Sequence, residues 1–183
     1  MTISKPEDHF HEHREKEYVT QYFPEVVGVV KQGPTTNLVM SLVKFRTSDS
    51  HLNSYIDLRY NSYSVQKNKY YKSKKGITIP KRLLADVINA LNGLSPEPPT
   101  DLPKEGNRIL ARFEKYKNID LVVSLTIADG SPKVDIREWV RDVMHGYEGF
   151  TYKGVRFNYD LYPHFSSILM KIQDMISPLT KDK

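Results

Sequence analysis

Leu38-Val39-Met40-Ser41-Leu42 comes back as Leu121-Val122-Val123-Ser124-Leu125, and that return decides how the chain is built. Other matches follow in the same order. Ile56-Asp57-Leu58-Arg59 returns as Val134-Asp135-Ile136-Arg137, and Lys75-Gly76-Ile77 returns as Lys153-Gly154-Val155. Upstream, Val26-Val27-Gly28-Val29-Val30 lies over Ile109-Leu110-Ala111-Arg112-Phe113 without a gap. The displacement falls from 83 to 78 positions between the first and second matches, so five extra residues sit in the first copy. They fall in the polar stretch 47–54, where a hairpin loop absorbs them. The chain is therefore two copies of one unit, residues 25–94 and 108–177, with tails at 1–24 and 178–183.

Each copy reads as strands and then one helix. Leu38, Met40 and Leu42 alternate with Val39, Ser41 and Val43, and Leu121, Val123, Leu125 and Ile127 do the same. Ile56, Leu58 and Tyr60 share one strand face, with Asp57 and Arg59 on the other. In the second copy Val134 and Ile136 face the core, leaving Asp135, Arg137 and Trp139 together outside. The last strands run through Gly76-Ile77-Thr78-Ile79 and Gly154-Val155-Arg156-Phe157. The period then changes to 3.6. Pro80 suits a first helical turn, Leu84, Val87, Ile88 and Leu91 form one stripe, and Gly93 suits the position after the helix end. The second helix starts at Pro163, with Phe165, Ile168, Leu169, Ile172 and Ile176 as its stripe. Between the copies, residues 95–107 open with four prolines in nine residues, an extended connector. The fold class is α+β with antiparallel sheets. A unit this short is marginal alone, so the two copies are expected to pack on each other as an intramolecular pseudo-dimer.

Composition narrows the function. The 183 residues are 39% hydrophobic and 27% charged, with no apolar run of membrane-spanning length. The N-terminus has neither a basic start nor an apolar stretch, so an intracellular protein of cytoplasm or nucleus is expected. Cysteine is absent, which excludes disulfides, thiolate metal sites and cysteine nucleophiles. The charge is unevenly spread. Residues 21–94 hold eleven bases against four acids, net +7, whereas residues 100–183 hold thirteen against twelve, net +1. A polyanion should prefer the first half.

The run Tyr55–Lys75 interleaves Tyr55, Tyr60, Tyr63, Tyr70 and Tyr71 with Arg59, Lys67, Lys69, Lys72, Lys74 and Lys75, against the single acid Asp57. Phosphates need cations and unstacked bases need flat π faces, so a groove for single strands wants both together. The competing reading is a hairpin of half-buried tyrosines and solvated lysines. Asp57 with Arg59, and Asp135 with Arg137, are either surface ion pairs or arginines held ready for phosphate. His9, His11 and His13 alternate in the acidic tail, a loose pattern for a metal, and His51, His145 and His164 are isolated. No phosphate-loop, dinucleotide, zinc-protease or serine-hydrolase motif occurs, and no carboxylate pair is placed for acid–base work. The expectation is a binding protein without enzyme activity or cofactor.

The order of motifs resembles the single-stranded-DNA-binding domain of the positive cofactor 4 transcriptional coactivators, most clearly at Val134-Asp135-Ile136-Arg137-Glu138-Trp139 and Lys74-Lys75-Gly76-Ile77-Thr78-Ile79-Pro80. The resemblance implies a curved antiparallel sheet of about four strands followed by one helix, paired through the helices so that two sheets line channels for single strands. It carries the family arginine onto Arg59 and Arg137, and the lysine before the glycine onto Lys75 and Lys153. The aromatic closing the first strand falls on Phe45, but on Ala128 in the second copy. The aromatic after the arginine motif falls near Trp139, where the first copy has Asn61 with Tyr60 or Tyr63 as substitutes. The residues expected to contact nucleic acid are thus Phe45, Arg59, Tyr63, Lys67, Lys69, Tyr71, Lys72, Lys74 and Lys75 in the first copy, and Arg137, Trp139, Lys153 and Arg156 in the second. The expected partner is single-stranded DNA, with RNA as runner-up, in replication, recombination, repair or transcription. A third reading is an interaction protein whose acidic tail docks a polymerase or repair factor. Self-association through sheet edges is open.

Overall fold

The computed structural model describes residues 21–47, 52–142 and 146–177. The first half is β1 (Gln21–Lys31), β2 (Thr36–Arg46), β3 (Leu52–Ser64) and β4 (Lys69–Pro80), then α1 (Leu84–Asn92). The second half is β5 (Asn107–Tyr116), β6 (Ile119–Ala128), β7 (Ser131–Asp142) and β8 (Tyr147–Asn158), then α2 (Tyr162–Ile176). Each half is a four-stranded antiparallel meander in chain order. β1 begins at Gln21, inside the segment assigned to the tail. Among the described residues no helix is long and apolar enough to cross a membrane.

The repeat extends to the irregularities. β1 slips register between Val26 and Gly28, and β5 slips between the matching Ile109 and Ala111. β3 and β4 slip between Arg59 and Asn61, and β7 and β8 between the matching Arg137 and Trp139. Such bulges turn a strand and sharpen its twist. In each half a hydroxyl holds the extra turn of the last strand: Lys75 N–H donates to Ser73 Oγ at 3.0 Å, and Lys153 N–H to Thr151 Oγ1 at 3.1 Å. Gly76 and Gly154 sit where the two strands close again. A Cβ at Gly76 would lie 2.2 Å from the Leu58 carbonyl oxygen, and one at Gly154 would lie 2.9 Å from that of Ile136.

Alternate residues of every strand meet in one continuous core that includes both helices, from Leu38, Met40, Ile56 and Ile79 to Leu121, Ile136 and Phe157. The helices run antiparallel: Ser166 Oγ, near the start of α2, donates to Asn92 Oδ1 at the end of α1 at 3.0 Å. Each helix also reaches the first strand of the opposite half, α2 against β1 and α1 against β5. Gly28 marks the closest approach, since a Cβ there would fall 2.7 Å from Ile168. Burial by both helices at once answers the shortage of core in a small unit. Tyr60 Oη donates to the Arg156 carbonyl at 2.7 Å and accepts the Arg156 N–H at 2.6 Å, bridging β3 and β8. Burial raises the pKa of its phenol.

Two expectations about helix ends are corrected. A short 3-10 turn precedes each helix, Lys81–Leu83 and Tyr159–Leu161, so α2 starts at Tyr162, with Pro163 inside its first turn. Gly93 adopts a right-handed conformation, φ −75°, and the α1 end is closed by its N–H to the Asn89 carbonyl, not by a left-handed cap. β5 takes in Asn107, the last residue assigned to the connector; residues 95–106 form no helix or strand, but Leu102 is buried in the core, and Tyr159 Oη donates to the Ser95 carbonyl at 2.7 Å.

Candidate nucleic-acid interface

One face of each sheet covers the core. On the first sheet the other face carries Phe45 from β2, Tyr55, Asp57, Arg59, Asn61 and Tyr63 from β3, and Tyr70 and Lys72 from β4, because register pairs lie on the same side. Two aromatic clusters mark its ends. At one, Phe45 sits between Tyr22 and Tyr55, with ring centroids 6.3 and 5.7 Å away. At the other, Tyr63 and Tyr70 lie 5.1 Å apart, and Tyr63 Oη donates to Asn68. Tyr63 lies eight strand steps beyond Tyr55, roughly 26 Å at about 3.3 Å each. Between them Asp57, buried, takes Arg59 at 2.6 Å and Lys72 at 3.2 Å. Arg59 Nη1 donates to the Lys74 carbonyl at 3.1 Å, so its fork is held flat against the sheet.

The basic–aromatic run is split by the pleat. Tyr71 pairs with Ser62 and Lys69 with Ser64, on the opposite side from Tyr63 and Tyr70. There the Lys67 and Lys69 ammonium groups lie 5.5 and 5.0 Å from the Tyr71 ring centroid, a cation–π cluster of its own. Lys74 and Lys75 are exposed in the β4 bulge. The structure therefore brings Phe45, Arg59, Tyr63 and Lys72 onto one surface, and places Lys67, Lys69 and Tyr71 on another.

The second sheet presents the same face with different chemistry. Arg137 and Trp139 project on its outer side as their parity requires, but Asp135 is fully buried there beneath two arginines, which corrects its expected exposure. Arg137 Nε meets Asp135 at 3.0 Å, and Arg156 Nη2 at 2.6 Å. Arg112 and Arg141 share Asp120 at 2.5 and 3.0 Å. The Arg112 guanidinium lies 4.9 Å over the Trp139 ring, Phe150 meets that ring edge-on at 4.8 Å, and Trp139 Nε1 donates to Glu148 at 3.0 Å. Hydrogen bonding to Asp120 raises the Arg112 pKa further. Lys153 stands 3.8 Å from Glu138.

No family model matches the chain, and no curated protein does either.

Some residues were not visible in the sequence. Lys115 is 1% exposed, donates to Glu138 at 2.7 Å and to Thr78 Oγ1 at 3.2 Å, and so ties the second half to β4. Burial lowers its pKa against the opposing pull of Glu138. Tyr22 and Tyr116 flank Phe45 in one pocket. The repeat gave no hint of Tyr116, the last residue of β5, because Gly33 occupies its place in the first copy. His164 lies beside the Val29 carbonyl at 3.3 Å. His9, His11, His13, His51 and His145 lie outside the described residues.

Proposed function

We propose that the protein binds single-stranded DNA on the outer face of its first sheet, with little sequence preference and without catalysis. The observation that carries this reading is the contrast between the two outer faces. The first combines two aromatic clusters with cations that face one carboxylate, Asp57. The second spends its arginines on Asp120, Asp135 and Glu148 and encloses its tryptophan. Phosphate must outcompete a carboxylate for each arginine of the second face, whereas Lys74 and Lys75 make no ion pair among the described residues. Bases entering the first face meet exposed rings, the pairing of stacking and charge that sequence-tolerant single-strand binders use. The resemblance to the positive cofactor 4 domain, in the sheet-plus-helix order and in the positions of Arg59, Lys75 and Phe45, supports the same reading, in transcription, replication, recombination or repair.

The test is a competition among single-stranded DNA, duplex DNA and single-stranded RNA at one stated salt concentration. The expected result is preferential loss of bound label to the single strand. Equal competition by duplex overturns the proposal, and equal competition by RNA moves the assignment to single-stranded nucleic acid of either sugar.

A further inference from the structure

At the β3 start and β4 end of the first sheet lies a pocket of about 380 Å³, inside the range of roughly 300–1,000 Å³ common for small-ligand sites. Tyr22, Phe45 and Tyr55 form one side of it, their rings tilted by 33° and 52° to one another. The other half of the molecule contributes one lining residue, Tyr116, the last residue of β5. Tyr22 and Tyr116 are 59% and 56% exposed, so two large rings lining one concave site are open to solvent. Exposed rings gathered in one concavity are the kind of surface that marks a ligand-binding groove.

We infer that this pocket is a nucleobase subsite assembled from both halves, with Tyr116 as the wall supplied by the second half. The inference rests on the single-strand reading above and deepens it. No acid or base side chain lines the pocket, so its occupant is flat and uncharged. Its polar groups suit a base edge. Thr78 Oγ1 accepts from Lys115 Nζ, which leaves the hydroxyl proton to donate elsewhere, and the exposed Asn53 amide offers a donor and an acceptor. Positive charge for a polyanion comes from Arg82, which is exposed beside the wall and donates to the Lys115 carbonyl; the Lys115 ammonium itself is buried against Glu138. The matching place in the second half has lost these features. Lys133 stands for Tyr55 and Asn158 for Pro80, and the hollow of about 550 Å³ there is edged by Glu97 and Asp160. Among the described residues this cradle therefore has no counterpart at the matching place of the second half, and it depends on a residue outside its own repeat.

The full chain and Tyr116→Ala are titrated with a short oligothymidylate and with an abasic strand of equal length, at one salt concentration. Wild type is also titrated with thymidine monophosphate, while the tyrosine ring resonances are followed. Tyr116→Ala is expected to weaken binding of the base-bearing strand by on the order of tenfold, as loss of one stacked base does. The abasic strand should bind both proteins alike, and Tyr116→Phe should restore wild-type affinity. Equal affinity of wild type and Tyr116→Ala for oligothymidylate overturns the subsite and leaves the single-strand reading standing. The same fold loss on both strands overturns it too, since the ring would then not be reading bases. If wild type binds neither strand but the monophosphate shifts the Tyr116 ring, the single-strand reading falls and the pocket is a site for free nucleotide. If neither strand nor monophosphate binds, both fall.

Discussion

Replacing Lys74 and Lys75 by Gln removes two cations that lie exposed in the β4 bulge and contact no acid among the described residues. If both meet phosphate, each accounts for about 0.7 of the slope of log affinity against log salt, so the double variant should flatten that slope by about 1.4. Between 50 and 200 mM salt the wild type would then lose roughly sevenfold more affinity than the variant. Lys72 is different. It stands 3.2 Å from Asp57, and adding Lys72→Gln brings the total towards roughly two units only if that lysine leaves Asp57 for the strand. The control is Lys153→Gln, the equivalent of Lys75, whose ammonium stands 3.8 Å from Glu138. Its slope should stay close to wild type. The assay is fluorescence anisotropy of a labelled single strand at four or more salt concentrations. An unchanged slope in the double variant, or equal flattening by Lys153→Gln, refutes the claim that the first half supplies the electrostatics.

Phe45→Ala should weaken single-strand binding by on the order of 1–3 kcal/mol with the salt slope preserved. Trp139→Ala should lower the melting temperature more than the affinity, because its ring is already occupied by Arg112 and Phe150; affinity and melting measured on both variants check this. Lys115→Met strands Glu138 in the interior and should cost about 3–5 kcal/mol in denaturant unfolding, with much of the loss recovered by adding Glu138→Leu. Gly28→Ala drives a methyl into Cγ1, Cγ2 and Cδ1 of Ile168 and should cost about 1–3 kcal/mol, a cost that a double-mutant cycle with Ile168→Ala should show to be relieved if α2 indeed presses on β1. The raised pKa of Tyr60 means that the unfolded chain releases this proton first. The stability tied to its neutral phenol is complete below pH 10.0 and falls as pH rises above it. Tyr60→Phe should flatten that alkaline decline in chemical denaturation while lowering stability at neutral pH through the two lost hydrogen bonds to Arg156.

What the sequence disclosed and what it hid divide along physical lines. Period-two alternation in Leu38–Leu42 and Leu121–Leu125 reported which side of β2 and β6 is dry, since a strand puts alternate residues on opposite faces. The helical stripes reported α1 and α2 in the same way, but the bulges, which recur at the displacements of 83 and 78, left no mark in the alternation. Local pattern does not encode which surfaces meet. Tyr71 and Tyr63 look alike in a list of tyrosines, and only the register across β3 and β4 sends them to opposite faces. Asp135 has the parity of an exposed residue, but two arginines close over it. Gly93 has the identity of a left-handed cap without its conformation. Tyr116 gains its place only because the second half packs beside Tyr55.

The crossing of each helix onto the other half's first strand has a consequence for how the two halves can change. In a symmetric dimer of identical chains, every substitution appears twice, so a surface cannot be altered on one side alone. Joining both units through residues 95–106 removes that constraint, and it also makes the pairing independent of protein concentration. One unit is then free to serve as a scaffold: its sheet can fill with carboxylates and its aromatic floor can be lost, as Ala128 and Lys133 record. The other can specialise without carrying its partner's ion pairs. Covalent linkage here acts as a licence for division of labour.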